Sequence, residues 1–86
     1  MTEDGLFPIR FRDLRDRLER LDVVEVDPVE WAQGELGCRV LRIDRMGLGS
    51  PYVLVRAETE DSMVYPPVIK HVLRVLGIEI RQFLMA

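Results

Sequence analysis

MGLGSPY, residues 46–52, comes closest in residue types to a chemical motif. Gly47 and Gly49 would let a backbone approach an anion, as glycine-rich loops do when they lead from a strand into a helix whose free N–H groups face a phosphate. Here Tyr52-Val53-Leu54-Val55 follows, an apolar, β-branched run rather than a helix, and Pro51 removes one donor. The Gly-Lys-Ser/Thr ending of a P-loop and the third glycine of a dinucleotide fingerprint are both missing. The stretch predicts a hairpin turn, a three-residue loop Gly47-Leu48-Gly49 with Gly49 in the left-handed position that favours glycine.

The remaining reactive side chains stand alone. His71 is the only histidine, lies beside Lys70 and Arg74 on the polar side of a helix and has no second histidine to share the work of a general base, so it reads as a solvated position. Cys38 is the only cysteine and has no activating neighbour in sequence, so it reads as a buried structural residue. A disulfide within the chain and a zinc site built from Cys and His are thereby excluded. Glu58, Glu60 and Asp61 supply too few oxygens at the spacing of a calcium loop and read as a charged turn. Tyr52 and Tyr65 could stack on bases, but without interleaved basic residues they read as core or interface positions. The residues predict no catalytic constellation, no metal and no cofactor, and therefore no enzyme.

The elements that would carry these residues follow from periodicity. Phe11, Leu14, Leu18 and Leu21 recur at spacings of three and four and predict an amphipathic helix over 11–21. On its other face Asp13 can pair with Arg17 and Asp16 with Arg20 at i,i+4, so the five arginines between 10 and 20 read as a solvated, self-paired face. Residues 22–26 predict a strand. Asp27-Pro28-Val29-Glu30 then opens a short helix near 28–34, stopped by Gly34 and Gly37, with Trp31 as a core anchor. The central hairpin spans 38–58, with Ile43 facing Val53 and Leu41 facing Val55. Val68 to Leu76 predicts a second helix, 67–76, opened by the two prolines and closed by Gly77. Ile78 and Ile80 alternate, so 78–84 is read as a strand.

The sum is one α+β domain, residues 1–86: a small antiparallel sheet of three to four strands with two main helices. With 48% hydrophobic and 31% charged residues the chain is too apolar to be disordered. It has no apolar run of the roughly 20 residues a membrane span needs. No signal-peptide layout opens it, so a soluble, cytoplasmic protein is expected. A core of this size supplies only about 3–5 kcal/mol of net stability, and with disulfide and zinc excluded, oligomerisation is the remaining support. The net charge of −3 argues against nucleic-acid binding through bulk electrostatics.

GSPYVLVRAETEDSMVYP (49–66) followed by VLRVLGIEIRQFL (72–84) resembles the second half of the small HicA-type messenger-RNA-cleaving toxins. That resemblance implies an α-β-β-β-α fold like that of a double-stranded-RNA-binding domain, and an RNA partner. The family's catalytic histidine falls on Pro51, and residues 22–47 have no clear counterpart. The resemblance therefore implies no cleavage by that mechanism, and the chain is not assigned to the family on these residues.

Two functions follow from the sequence. The first is a non-enzymatic interaction protein, a regulator or complex subunit that self-associates through a mixed apolar and charged sheet face. Its expected contacts are Val40, Met46, Tyr52 and Leu54, with Phe83 and Met85 from the apolar C-terminal end. The alternative is an RNA-binding or toxin-like protein whose phosphate contacts would be Arg10, Arg12, Arg15, Arg39, Arg42, Arg45, Lys70 and Arg74. The geometry of those arginines discriminates: convergence on one surface favours the second reading, and pairing with carboxylates favours the first.

Overall fold

Alternation of side chains along three strands decides where the core lies. In the computed structural model, which describes residues 5–26, 38–44 and 49–86, β2 (Val23–Val26), β3 (Cys38–Ile43) and β4 (Tyr52–Arg56) form an antiparallel sheet in that order. Directly paired residues share a face. Val23, Leu41, Ile43, Val53 and Val55 therefore point to one side, and all are buried. Helices α1 (Phe11–Glu19) and α2 (Pro66–Leu76) cover that side with Phe11, Leu14, Leu18 and with Ile69, Val72, Leu73, Leu76, the i, i+3, i+4 stripes of amphipathic helices. Each such fully buried aliphatic side chain contributes about 1.5–3 kcal/mol relative to exposure. A two-residue ribbon, β1 (Ile9–Arg10) antiparallel to β5 (Met63–Val64), ties the chain before α1 to the chain before α2.

The α+β architecture and both main helices agree with the sequence reading. Helix α1 stops two residues before Leu21. The chain closes there through Leu21 N–H to Leu18 O and Asp22 N–H to Glu19 O, and Asp22 at φ 69° turns it into β2. The short helix expected near 28–34, with Trp31, lies outside the described residues, as do Arg45 and Met46.

Two expectations need correction. The hairpin register places Leu41 opposite Val53, not Val55, and Ile43 N–H donates to Pro51 O at 3.1 Å. Pro51 can accept a ladder bond but cannot donate one, and the three-residue loop expected at Gly47-Leu48-Gly49 lies in part outside the described residues. The shift is by two residues, so every side chain keeps its predicted face. Gly49 does adopt φ 84°, the left-handed conformation expected of it.

Residues 78–84 do not form a strand, because the chain enters α3 (Ile80–Met85) instead. Gly77, at φ 70°, ends α2, and the N–H groups of Gly77 and Ile78 cap the carbonyls of Arg74 and Leu73. Two residues on, Glu79 and Gln82 form a reciprocal capping box, with Glu79 N–H donating to Gln82 Oε1 at 2.9 Å. Phe83, three residues after Ile80, then points into the core. Gly77→Ala forces a Cβ into a left-handed conformation that costs about 1–2 kcal/mol. The expected outcome is a thermal midpoint lower by about 4–8 °C per kcal/mol for a domain of this size, read by circular dichroism.

Candidate interaction surface

Side chains that alternate away from the helices form the outer face of the sheet. Paired residues set it out in rows: Val24, Arg42 and Tyr52; Val26, Val40 and Leu54; Cys38 and Arg56. Val24 is 46% exposed, Tyr52 43% and Leu54 40%, next to the buried Val23, Val53 and Val55 of the same strands. Arg42 Nε lies 3.2 Å from Asp44 Oδ1, an ion pair without hydrogen-bond geometry. A concavity of about 180 Å³ opens here between Val26, Val40, Arg42, Ser50 and Tyr52. That is below the ~300 Å³ where small-molecule sites begin, so the face suits a surface more than a ligand.

The expected interface residues divide. Tyr52 and Leu54 lie exposed on the outer face as anticipated. Val40 shares the face, between Val26 and Leu54 on the middle strand, but is only 1% exposed and offers a partner no surface. Phe83 is likewise buried, in the core cluster and beneath the Arg17 guanidinium at 5.5 Å from the ring centroid. Met85 is exposed, but on α3, whose last carbonyls accept bonds from Arg17 of α1, so it belongs to the helical side. Val24 and Val26 join the outer face unforeseen, although the alternation of Val23-Val24-Glu25-Val26 carries that signal.

The arginines separate rather than converge. Arg12 pairs with Asp61 at 2.6 Å. Arg15 reaches Glu60 at 2.6 Å, Glu25 at 3.2 Å and Glu19 at 3.9 Å. Arg39 points inward, its Nε donating to Ala57 O at 3.0 Å and its Nη1 meeting Glu25 at 3.2 Å, with the guanidinium 4.9 Å from the Phe11 ring centroid. With Arg42 on Asp44, four of the eight candidate phosphate contacts face carboxylates. Arg10 and Arg74 are exposed and form no ion pair among the described residues, and Lys70 is exposed on α2. The i,i+4 pairs expected of Asp13 with Arg17 and Asp16 with Arg20 do not form: Arg17 donates to the carbonyls of Phe83 and Leu84 instead.

His71 is exposed on α2, and Cys38 is half-buried on the outer face rather than in the core. Among the described residues no group of three or more His, Cys, Asp or Glu is placed to hold a metal ion, and no helix is long and apolar enough to cross a membrane. No protein-family model, no curated protein and no solved structure matches the chain.

The Arg15 cluster has a defined pH signature. Its hydrogen bond to Arg15 and the charge of Arg15 hold the Glu60 carboxyl below its ordinary 4.5, while Glu60 raises the Arg15 guanidinium, which stays protonated throughout. A carboxyl depressed on folding stabilises the fold above its unfolded pKa and loses that contribution as pH falls through the folded value. The thermal midpoint is therefore expected to fall below pH 4.5. Glu60→Gln flattens that part of the profile while lowering the neutral-pH midpoint slightly, both read by thermal melts across an acid series.

Proposed function

We propose that the protein is a small non-enzymatic interaction protein, a cytoplasmic regulator or complex subunit, that associates with a second copy of itself through the outer face of its sheet. The observation that carries this reading is the near-half exposure of Val24, Tyr52 and Leu54 on the sheet face opposite the one that α1 and α2 cover. Large exposed apolar side chains gathered on one sheet face are what an interaction surface presents. Removing them from water contributes roughly 25 cal/mol per Å² of apolar area, and a mixed polar rim is what a non-obligate interface carries.

An RNA partner has less support. Half of its candidate contacts are neutralised by neighbouring carboxylates, and the chain carries a net charge of −3. Arg10, Lys70 and Arg74 lie on two different elements, β1 and α2.

Sedimentation velocity at high micromolar concentration tests the proposal. A dimer is expected, and Leu54→Glu, which places a charge in the middle of the face, is expected to weaken association by roughly tenfold or more, about 1.4 kcal/mol. A strict monomer would remove the reading. RNA retention that falls steeply with salt would put the nucleic-acid alternative in its place.

A further inference from the structure

Three charged side chains of α1 and its end, Asp13, Asp16 and the C-cap residue Arg20, are exposed and form no ion pair among the described residues. Asp13 loses the partner one turn on because Arg17 turns to the carbonyls of Phe83 and Leu84, at 3.3 and 3.2 Å. Positions 13, 16, 17 and 20 follow the three-and-four spacing of a single helix face. With Phe7 and Ile9 they line a groove of about 250 Å³. Phe7, at its edge, is 57% exposed. Leu84 lines an adjoining small cavity with Phe7 and Arg17, and the exposed Met85 follows it on α3. The buried side of α1 packs on the inner face of the sheet, so this stripe and the outer sheet face are separate surfaces.

We propose that this stripe of α1 packs antiparallel against the same stripe of a second copy, about a two-fold axis level with Asp16 and Arg17. The contact goes beyond the sheet-face association proposed above and does not rest on it. The stripe is complementary to itself in this register. Asp13 of each copy meets Arg20 of the other, and Asp16 meets Arg17, whose guanidinium keeps donors beyond the one bound to α3. Every acid of the stripe thus faces a base, and the two-fold axis makes each pair twice. Moving the axis half a turn toward the start of the helix would set Asp13 against Asp16, and a parallel pair would set each charge against its own copy. The ion pairs that the helix does not close on itself are therefore closed between copies, and Phe7 beside them loses contact with water. Exposed ion pairs are individually weak, so the contact fills only at high protein concentration.

NMR spectra of the full chain carrying Leu54→Glu, which takes the sheet face out of the measurement, test the proposal when recorded from micromolar to millimolar concentration. The amide signals of Phe7 and of Asp13 to Arg20 are expected to shift as concentration rises, and the shifts fade with added salt because these pairs are screened by solvent. Asp13→Arg and Arg20→Asp are each expected to weaken association by roughly tenfold, since each turns two attractive contacts into repulsive ones. Made together, the two substitutions set opposite charges across the axis again, so association returns to within roughly threefold of the starting chain. A double variant that associates as weakly as either single one overturns the proposal. So does a chain whose 13–20 signals do not move with concentration, or move without regard to salt. If a substitution unfolds the monomer, the concentration and salt response of the starting chain decides. Failure of the sheet-face association shows only in the chain with Leu54 intact, so the two failures are told apart.

Discussion

The arrangement depends on how the start of α1 is held. Its N-cap residue is Arg10, whose side chain cannot accept the free N–H groups of a first turn, and no side-chain cap is present. The carbonyls come from a distant turn instead: Phe11 N–H donates to Ser62 O at 2.8 Å and Arg12 N–H to Glu60 O at 3.0 Å. The same turn, shaped by Thr59 and Ser62, presents Glu60 and Asp61 to Arg15 and Arg12. A nine-residue helix is too short to persist alone in water, so α1 exists because this turn and the sheet receive it.

Once α1 is placed, the charged residues inside the fold acquire partners. Glu25 and Arg39 occupy inward positions on β2 and β3, where an unpartnered charge would be costly. Glu25 bridges Arg15 of α1 and Arg39 of β3, and the Phe11 ring lies beneath both guanidinium groups. A helix, two strands and a turn thus share one electrostatic cluster at the margin of the apolar core. Exposed ion pairs contribute little one at a time, but here each arginine is also fixed by a ring or a backbone carbonyl, so the cluster sets geometry more than it adds stability. It also leaves fewer arginines available for an anionic partner than the composition suggests.

What could be read from the residues was whatever depends on period. The stripes Phe11-Leu14-Leu18 and Ile69-Val72-Leu73-Leu76 predicted both helices, Gly77 predicted an end, and alternation along β3 and β4 predicted a two-faced sheet with Tyr52 and Leu54 outside. What escaped depends on contacts between distant residues or on competing local signals. The capping of α1 by Ser62 and the Arg15–Glu60 pair span about half the chain and leave no local trace. The hairpin register escaped because registers that differ by two residues keep the same apolar face, so the side-chain pattern does not choose between them. In the last segment, the alternation of Ile78 and Ile80 masked the Glu79–Gln82 capping box, which was present in sequence and decided the outcome. The inward placement of Arg39 was available from parity, since it alternates with Val40, but a charged residue is readily assumed to face solvent.

Parity also ties the outer face of the sheet to the direction of its main-chain groups. Along a strand, side-chain direction and main-chain hydrogen-bonding direction both repeat every two residues, so they are locked to each other. The bond from Ile43 N–H to Pro51 O sets the phase. It turns the side chains of Val53 and Val55 into the core and their main-chain groups toward β3, and it gives Tyr52, Leu54 and Arg56 the reverse of both. A slip of one residue would bury the exposed set and expose the core, whereas the two-residue difference between the expected and observed registers leaves this phase intact. Tyr52 and Leu54, which expose apolar side chains, are therefore residues whose main-chain groups point away from β3.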